Sequence, residues 1–323
     1  MSKLSLALAV LFLGLSCTAQ AQFNFTTHND SIAITGYNGP GGAILIPDTI
    51  DHLPVVRIGD GAFAHRTSIT SVVVPDTVTD IGEDAFTGMD VHSGLTALKL
   101  GRNVSRIGPG AFSGCDQLKT ILIPDSVRTI GAGAFVFCST LTHIYIPAGV
   151  TNIEDGAFNA CFGLESITVD AGNPAYCSGD GVLYNRNRTR LLQFPGGKAG
   201  DFVIPDSVKN IAHFALWNCP NLTSVRIPEG ITEIGDEEFA ACRSLSTVIV
   251  PASVRHIGQN AFNSCLSMRG IYFYGNAPDY GEYWRGGRSK VLGGLDSGTI
   301  YYLPGTTGWG STFGGRPTAT WKP

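Results

Sequence analysis

The sequence predicts a β-rich α/β solenoid: short parallel strands stacked rung on rung, joined by short helical turns and capped at both ends. Three observations predict it. Pro124, Pro147, Pro205, Pro228 and Pro251 each follow an Ile or Val, and adjacent members lie 23 residues apart except for one gap of 58. Cys115, Cys138, Cys161, Cys219, Cys242 and Cys265 repeat with the same spacings. So does an Ala-Phe pair at 111–112, 134–135, 157–158 and 261–262, with Ala62-Phe63 and Ala85-Phe86 before them, Ala215-Leu216 divergent, and Glu238-Phe239 carrying Glu in place of Ala. A fixed period of this length marks repeats that bury apolar surface only by stacking on one another.

Residues 118–140 show how each element arises. Ile121 and Ile123 alternate inward on a strand. Pro124 ends that strand and Asp125-Ser126 turn the chain. Val127 and Ile130 give a second short extended piece, and Ala134, Phe135 and Cys138 a short helical turn. The inward rows are ladders: Ile46, Val74, Leu100, Ile123, Ile146 and their successors on one side, Phe63 through Phe262 on another. Gly59, Gly82, Gly108, Gly131, Gly235 and Gly258 share one repeat position, which predicts a bend with positive φ.

The domain plan follows. Residues 1–21 read as a secretory signal: Lys3, an apolar run from Leu4 to Leu15, and Ala19-Gln20-Ala21, with cleavage after Ala21. The rival reading is a lipid anchor on Cys17, which Gly14 disfavours by standing where a branched aliphatic residue is required. Residues 22–40 are an N-terminal cap, 41–274 the repeats and 275–323 a C-terminal cap. The long repeat 164–198 adds a projecting β-hairpin, Gly181–Tyr184 and Leu191–Pro195 around a polar tip. The mature chain carries no second apolar run long enough to span a membrane. These features place it in the secreted, cell-surface or periplasmic space.

Charged residues make up only 15%, against about 25% in an average protein. The net charge of −4 argues against a basic nucleic-acid binder and against an acidic disordered chain. No close Cys pairs suggest zinc, and no metal or cofactor is expected. The repeated cysteines read as a buried thiol ladder, with disulfides between neighbouring rungs as the alternative. Cys177 falls outside that ladder. His143, His213 and His256 occupy different repeat positions and no Gly-x-Ser-x-Gly elbow is present, so no catalytic set is expected and the protein reads as no enzyme. Arg186, Arg188 and Arg190 are the densest positive cluster, either a solvated tip or a contact for an anionic surface.

The repeated pattern Leu141-x-x-Ile144-x-Ile146-Pro147-x-x-Val150-x-x-Ile153, followed by Ala157-Phe158-x-x-Cys161, resembles the BspA-like bacterial surface-antigen class of leucine-rich repeats. Asn173-Pro174-Ala175-Tyr176 and Gly181-Val182-Leu183-Tyr184 are similar to that family's long-repeat variant. The resemblance implies a non-enzymatic leucine-rich-repeat solenoid for recognition of, or adhesion to, a protein or cell-surface ligand.

The binding face is expected on the main sheet. Its outward row runs Leu45, Val73, Lys99, Leu122, Tyr145, Thr168, Val203, Arg226, Ile249, Tyr272, flanked by a row of mostly small residues that includes His143. That row is unusually apolar for a solvent face, although β-propensity accounts for such residues equally well. Tyr145, His143, Arg226, Tyr272, Leu122 and Ile249 are the candidate binding residues, the aromatic and charged ones as anchors. The last 52 residues hold 11 of 31 aromatics, including Trp284, Trp309 and Trp321. They suggest a core-shielding cap or, alternatively, a carbohydrate-binding platform.

Overall fold

The computed structural model describes residues 22–88, 92–280 and 298–323. The signal sequence, Cys17 and Trp284 lie outside the described residues. Two ladders of parallel strands run along the stack. The main sheet comes in three pieces: Gly42–Leu45, Ile69–Val73 and Ala97–Lys99; then His143–Ile146 and Ser166–Val169; then Gly200–Val203, Leu222–Arg226, Thr247–Val250, Gly270–Phe273, Thr299–Tyr302 and Arg316–Thr320, edged by Thr312–Phe313. The second sheet begins with Phe23–His28, Ser31–Tyr37, Leu53–Ile58, Asp80–Ile81, Arg106–Ile107, Thr129–Ile130 and Asn152–Ile153. It resumes at Asn210–Ile211, and again at Glu233–Ile234, His256–Ile257 and Asp279–Tyr280.

The register is that of the repeat. Tyr145 pairs with Thr168, and Arg226 with Ile249. Ile144 and Ile146 are buried while His143 and Tyr145 face solvent. Strands such as His143–Ile146 and Thr247–Val250 stop at a proline, which has no N–H to give the ladder. The proline carbonyl instead accepts the N–H three residues on, as from Val127 to Pro124 at 3.0 Å and from Val150 to Pro147 at 3.2 Å.

The expected helical turns are absent: no α-helix occurs among the described residues. The Ala-Phe segments are chains of tight turns. N–H groups of Ala111, Ser113 and Cys115 donate three residues back, to Gly108, Gly110 and Phe112. Left-handed residues punctuate them, Gly110 and Gly114 in one coil, Gly133 and Phe137 in the next, Gly156 and Ala160 after that. Left-handed backbone costs a non-glycine residue about 1–2 kcal/mol and ends any helix. It is offset here because the turn's N–H groups reach the next coil: Gly110, Phe112 and Gly114 donate to the carbonyls of Ala132, Ala134 and Val136 at 2.8–2.9 Å.

The recurrent glycines also differ from expectation. None of Gly59, Gly82, Gly108, Gly131, Gly235 and Gly258 has positive φ. Four of them have the coil beneath pressed against them. A Cβ on Gly82, Gly108, Gly131 or Gly258 would lie 2.6–2.7 Å from the carbonyl carbon of the glycine one coil below. Close stacking, and not a bend, requires the missing side chain.

The interior is built from columns. Phe63, Phe86, Phe112, Phe135 and Phe158 stack with ring centroids 4.9–5.7 Å apart and planes within 16°. Phe239 and Phe262 repeat this at 5.3 Å. Aromatic pairs of this kind contribute about 0.5–1.5 kcal/mol each beyond burial. The six repeat cysteines are buried and unbridged. The thiols of Cys138, Cys161, Cys242 and Cys265 donate to a carbonyl of the preceding coil at 3.0–3.2 Å. Burial pushes the Cys115 and Cys161 thiols up to about 12. Cys177, half-buried in the insert, donates to the Asn185 carbonyl at 3.3 Å.

The insert does not project. Tyr176–Gly179, Val182–Asn185 and Arg190–Gln193 form an antiparallel meander whose last strand pairs with Asn210–Ile211. Val182, Leu183 and Tyr184 are all buried. Leu183 joins the core on the N-terminal side, Val182 and Tyr184 the core on the C-terminal side. Three consecutive apolar residues describe a strand covered on both faces, so the meander is a partition inside the stack. Asn173 fixes its entry: its Nδ2 donates to the carbonyls of Pro147 and Val150, and its Oδ1 accepts from the N–H groups of Ala175 and Tyr176. The tip, residues 186–190, is exposed. Even there Arg188 lies over the Tyr184 ring at 5.1 Å.

At one end, the Phe23–His28 and Ser31–Tyr37 hairpin pairs with Leu53–Ile58 and packs Phe23 and Tyr37 on Phe63. At the other, the main sheet continues past Phe273 by two further parallel strands, and Trp309 packs on Phe273, Tyr302 and Phe313.

Candidate recognition face

Alternation along each main-sheet strand turns one row of side chains inward and the next outward. The outward row carries four of the eight exposed large apolar side chains among the described residues: Leu122 is 77% exposed, Val203 64%, Leu45 53% and Tyr145 42%. Flanking residues such as Ala43, Ala97 and Thr120 are short and exposed, so they do not screen the row.

The six candidate residues fall into two groups. His143 and Tyr145 share one strand, and Leu122 sits beside them on residues 118–124, which keep Leu118, Ile121 and Ile123 buried without pairing into the sheet. Arg226, Ile249 and Tyr272 are in direct register on three adjacent strands. The two groups do not share a sheet, because the partition stands between Ser166–Val169 and Gly200–Val203. Ile167 N–H donates to the Gly181 carbonyl and Val169 N–H to Ser178 Oγ, so the bonds that would continue the ladder end on the insert.

Polar neighbours order the rims of both groups. Tyr145 Oη donates to Asp170 Oδ2. That contact lowers the Asp170 carboxyl and raises the Tyr145 hydroxyl. Thr223 and Ser224 hydroxyls both donate to Asp201 Oδ1 at 2.7 Å, which lowers the Asp201 carboxyl. Fixed carboxylates thus stand beside apolar side chains, an arrangement able to seat an apolar anchor with a cationic or hydrogen-bonding rim.

Sequence reasoning missed Tyr301. It pairs with Tyr272 and stacks on it at 4.7 Å, with Trp321 edge-on to Tyr272 at 5.0 Å. Its signal was Ile300-x-Tyr302 followed by Pro304, a worn copy of the strand-proline pattern. The terminal aromatics therefore divide: Trp309 covers the core end, while Trp321 extends the outer face.

Among the described residues no group of three or more His, Cys, Asp or Glu is placed to hold a metal ion. No helix long and apolar enough to cross a membrane occurs among them.

Stacked parallel rungs, a recurring proline-ended strand and an outward-facing sheet define a leucine-rich-repeat solenoid. Residues 56–176 and 193–284 match the BspA type leucine rich repeat region in six copies. The chain belongs to that family. A leucine-rich repeat protein from Eubacterium ventriosum is similar at 26% identity, over 86% of this chain and 75% of that one, with a TM-score of 0.67. The pneumococcal vaccine antigen PcpA shares the fold at 20% identity, over 87% and 79%, with the same TM-score of 0.67. No curated protein matches the sequence.

Proposed function

We propose that the protein is an exported, non-enzymatic recognition module that binds a protein ligand on a cell or matrix surface through the outer face of its main sheet. The observation that carries this reading is the exposed apolar row Leu45, Leu122, Tyr145 and Val203 on a sheet with short neighbours. Leu122, His143 and Tyr145 form one half of the site, and Arg226, Ile249 and Tyr272 the other. Export follows from the secretory pattern of residues 1–21, and the terminal segments act as caps of the stack.

A binding screen of the mature protein against surface proteins and a glycan array tests it. The double variant Leu122→Ser/Tyr145→Ala is expected to weaken a protein hit by at least about tenfold, as loss of an anchor does. Arg128→Ala, on the second-sheet side, should leave it unchanged. Equal loss from both, or no loss from either, would count against the face.

A second reading is carbohydrate binding by Tyr272, Tyr301 and Trp321, favoured by their cluster on the outer face. Tyr272 and Tyr301 already cover part of each other's ring faces. The protein reading is therefore preferred, and a hit confined to the glycan array would reverse that order.

A further inference from the structure

Between the coils of Asn210–Ile211 and Glu233–Ile234 the second sheet is open. In joined coils the carbonyl before the bend accepts the next coil's N–H, as Ile107 from Gly131 and Ile234 from Gly258. Here Ile211 and Lys209 carbonyls receive nothing from Gly235, Thr232 or Glu233, and the two strands belong to separate sheets. The coils stay joined elsewhere, through Val203–Arg226 pairing on the main sheet and from Asn218 N–H to the Ala240 carbonyl. The opening is a cavity of about 250 Å³ lined by Lys209, Ile211, His213, Thr232, Glu233 and Glu238, among others.

Glu238 is the unusual member. It replaces the repeat's alanine, is 3% exposed, and has an Oε1 without a hydrogen-bond partner. Its Oε2 lies 3.1 Å from where a Gly235 Cβ would be, the space that a lower coil fills in other repeats. A buried carboxyl facing an open polar cavity calls for a donor.

We propose that this opening binds a primary ammonium group, with Glu238 as counter-ion and the free Lys209 and Ile211 carbonyls as further acceptors. An anion would meet the buried carboxyl. A bare metal ion lacks the three or more carboxylate, thiol or imidazole ligands needed for a dedicated site, and the volume exceeds that of an ion. Lys209 does not occupy the place, since its ammonium is held by the carbonyls of Asp206 and Glu229. An amine on a short alkyl chain fits, whether a free amine or a lysine side chain of a partner.

Burial raises the Glu238 carboxyl to about 8. The titratable groups around it are Lys209 and His213 on the lower coil, Glu233 on its own coil, and the Cys219 thiol beneath. Ammonium entry displaces the Glu238 proton to solvent, so binding and proton release are linked.

Calorimetric titration of the whole protein with methylammonium, and separately with N-acetyl-lysine methylamide, tests this. One site is expected, about tenfold tighter at about pH 9 than at about pH 7, with close to one proton released at the lower pH. Equal affinity for the two probes assigns a free amine; markedly tighter binding of the lysine derivative assigns a partner's side chain. Glu238→Gln should abolish binding, and Glu238→Ala, which restores the repeat residue and so keeps the fold, should do the same. No binding by either probe, binding that survives Glu238→Gln, or potassium binding as tightly as methylammonium would each overturn the proposal.

Discussion

The coils before the partition and those after it are held together on opposite sides. In the first half the second sheet runs unbroken from Phe23 to Ile153, while the main sheet lapses at residues 118–124. In the second half the main sheet runs unbroken from Gly200 to Thr320, while the second sheet opens between Ile211 and Glu233. Each coil is thus stitched to its neighbour on at least one side, and the other side is free to open. The lesson is that the two ladders are mutually redundant supports, and packed columns keep register where a ladder lapses. Leu118, Ile121 and Ile123 show this, being buried without sheet bonds.

The largest test of the comparison is Phe135→Ala. Removing one ring from the column should cost about 3–5 kcal/mol. Hydrogen exchange should place the loss among residues 97–169, with coils beyond the partition protected as before. Loss of protection in both halves would mean that the partition transmits and does not separate.

The open side of the second half should show itself in the pH dependence of stability. The folded Glu238 carboxyl titrates at about 8, far above its unfolded value, so the native state holds the extra proton between the two. Stability then falls as pH rises, by about 1.4 kcal/mol per unit between roughly pH 5 and pH 8. Urea melts across that range should show the slope, and Glu238→Gln should flatten it.

A smaller effect is expected at a closely stacked bend of the first half. Gly131→Ala places a methyl 2.5–2.9 Å from the backbone of Gly108 and Pro109 and should cost about 1–3 kcal/mol of overpacking. Gly235→Ala meets only the Glu238 carboxylate and should cost less. Equal costs would erase the contrast between closed and open coils. The smallest is Tyr145→Phe, on an exposed pair, which should leave the melting curve within about 0.5 kcal/mol while altering ligand binding.

Much of this was legible in the residues. The 23-residue spacing gave the rungs, and alternation gave the inward and outward rows, because both depend on periods that burial enforces. The thiol column was legible because its cysteines keep the same spacing. Left-handed turns were not, since Phe137 and Ala160 adopt them only to reach the neighbouring coil. Gly131 signalled a special backbone, but composition does not distinguish positive φ from close approach. The partition was visible in Val182-Leu183-Tyr184, a run with no polar face, yet a hairpin with a polar tip reads more readily as a projection. Splitting of the candidate face followed from that misplacement. Glu238 stood out as a departure from the repeat, but its cavity arises from coil spacing, which no single residue encodes.

The buried thiol column has a consequence for where this fold can mature. Disulfide exchange needs an accessible thiolate, and these sulfurs are shielded and hydrogen-bonded to backbone. Reductants have no bond to cut and oxidants find no nucleophile in the column. The coils therefore close without oxidative assistance and should be equally durable in reducing and oxidising surroundings.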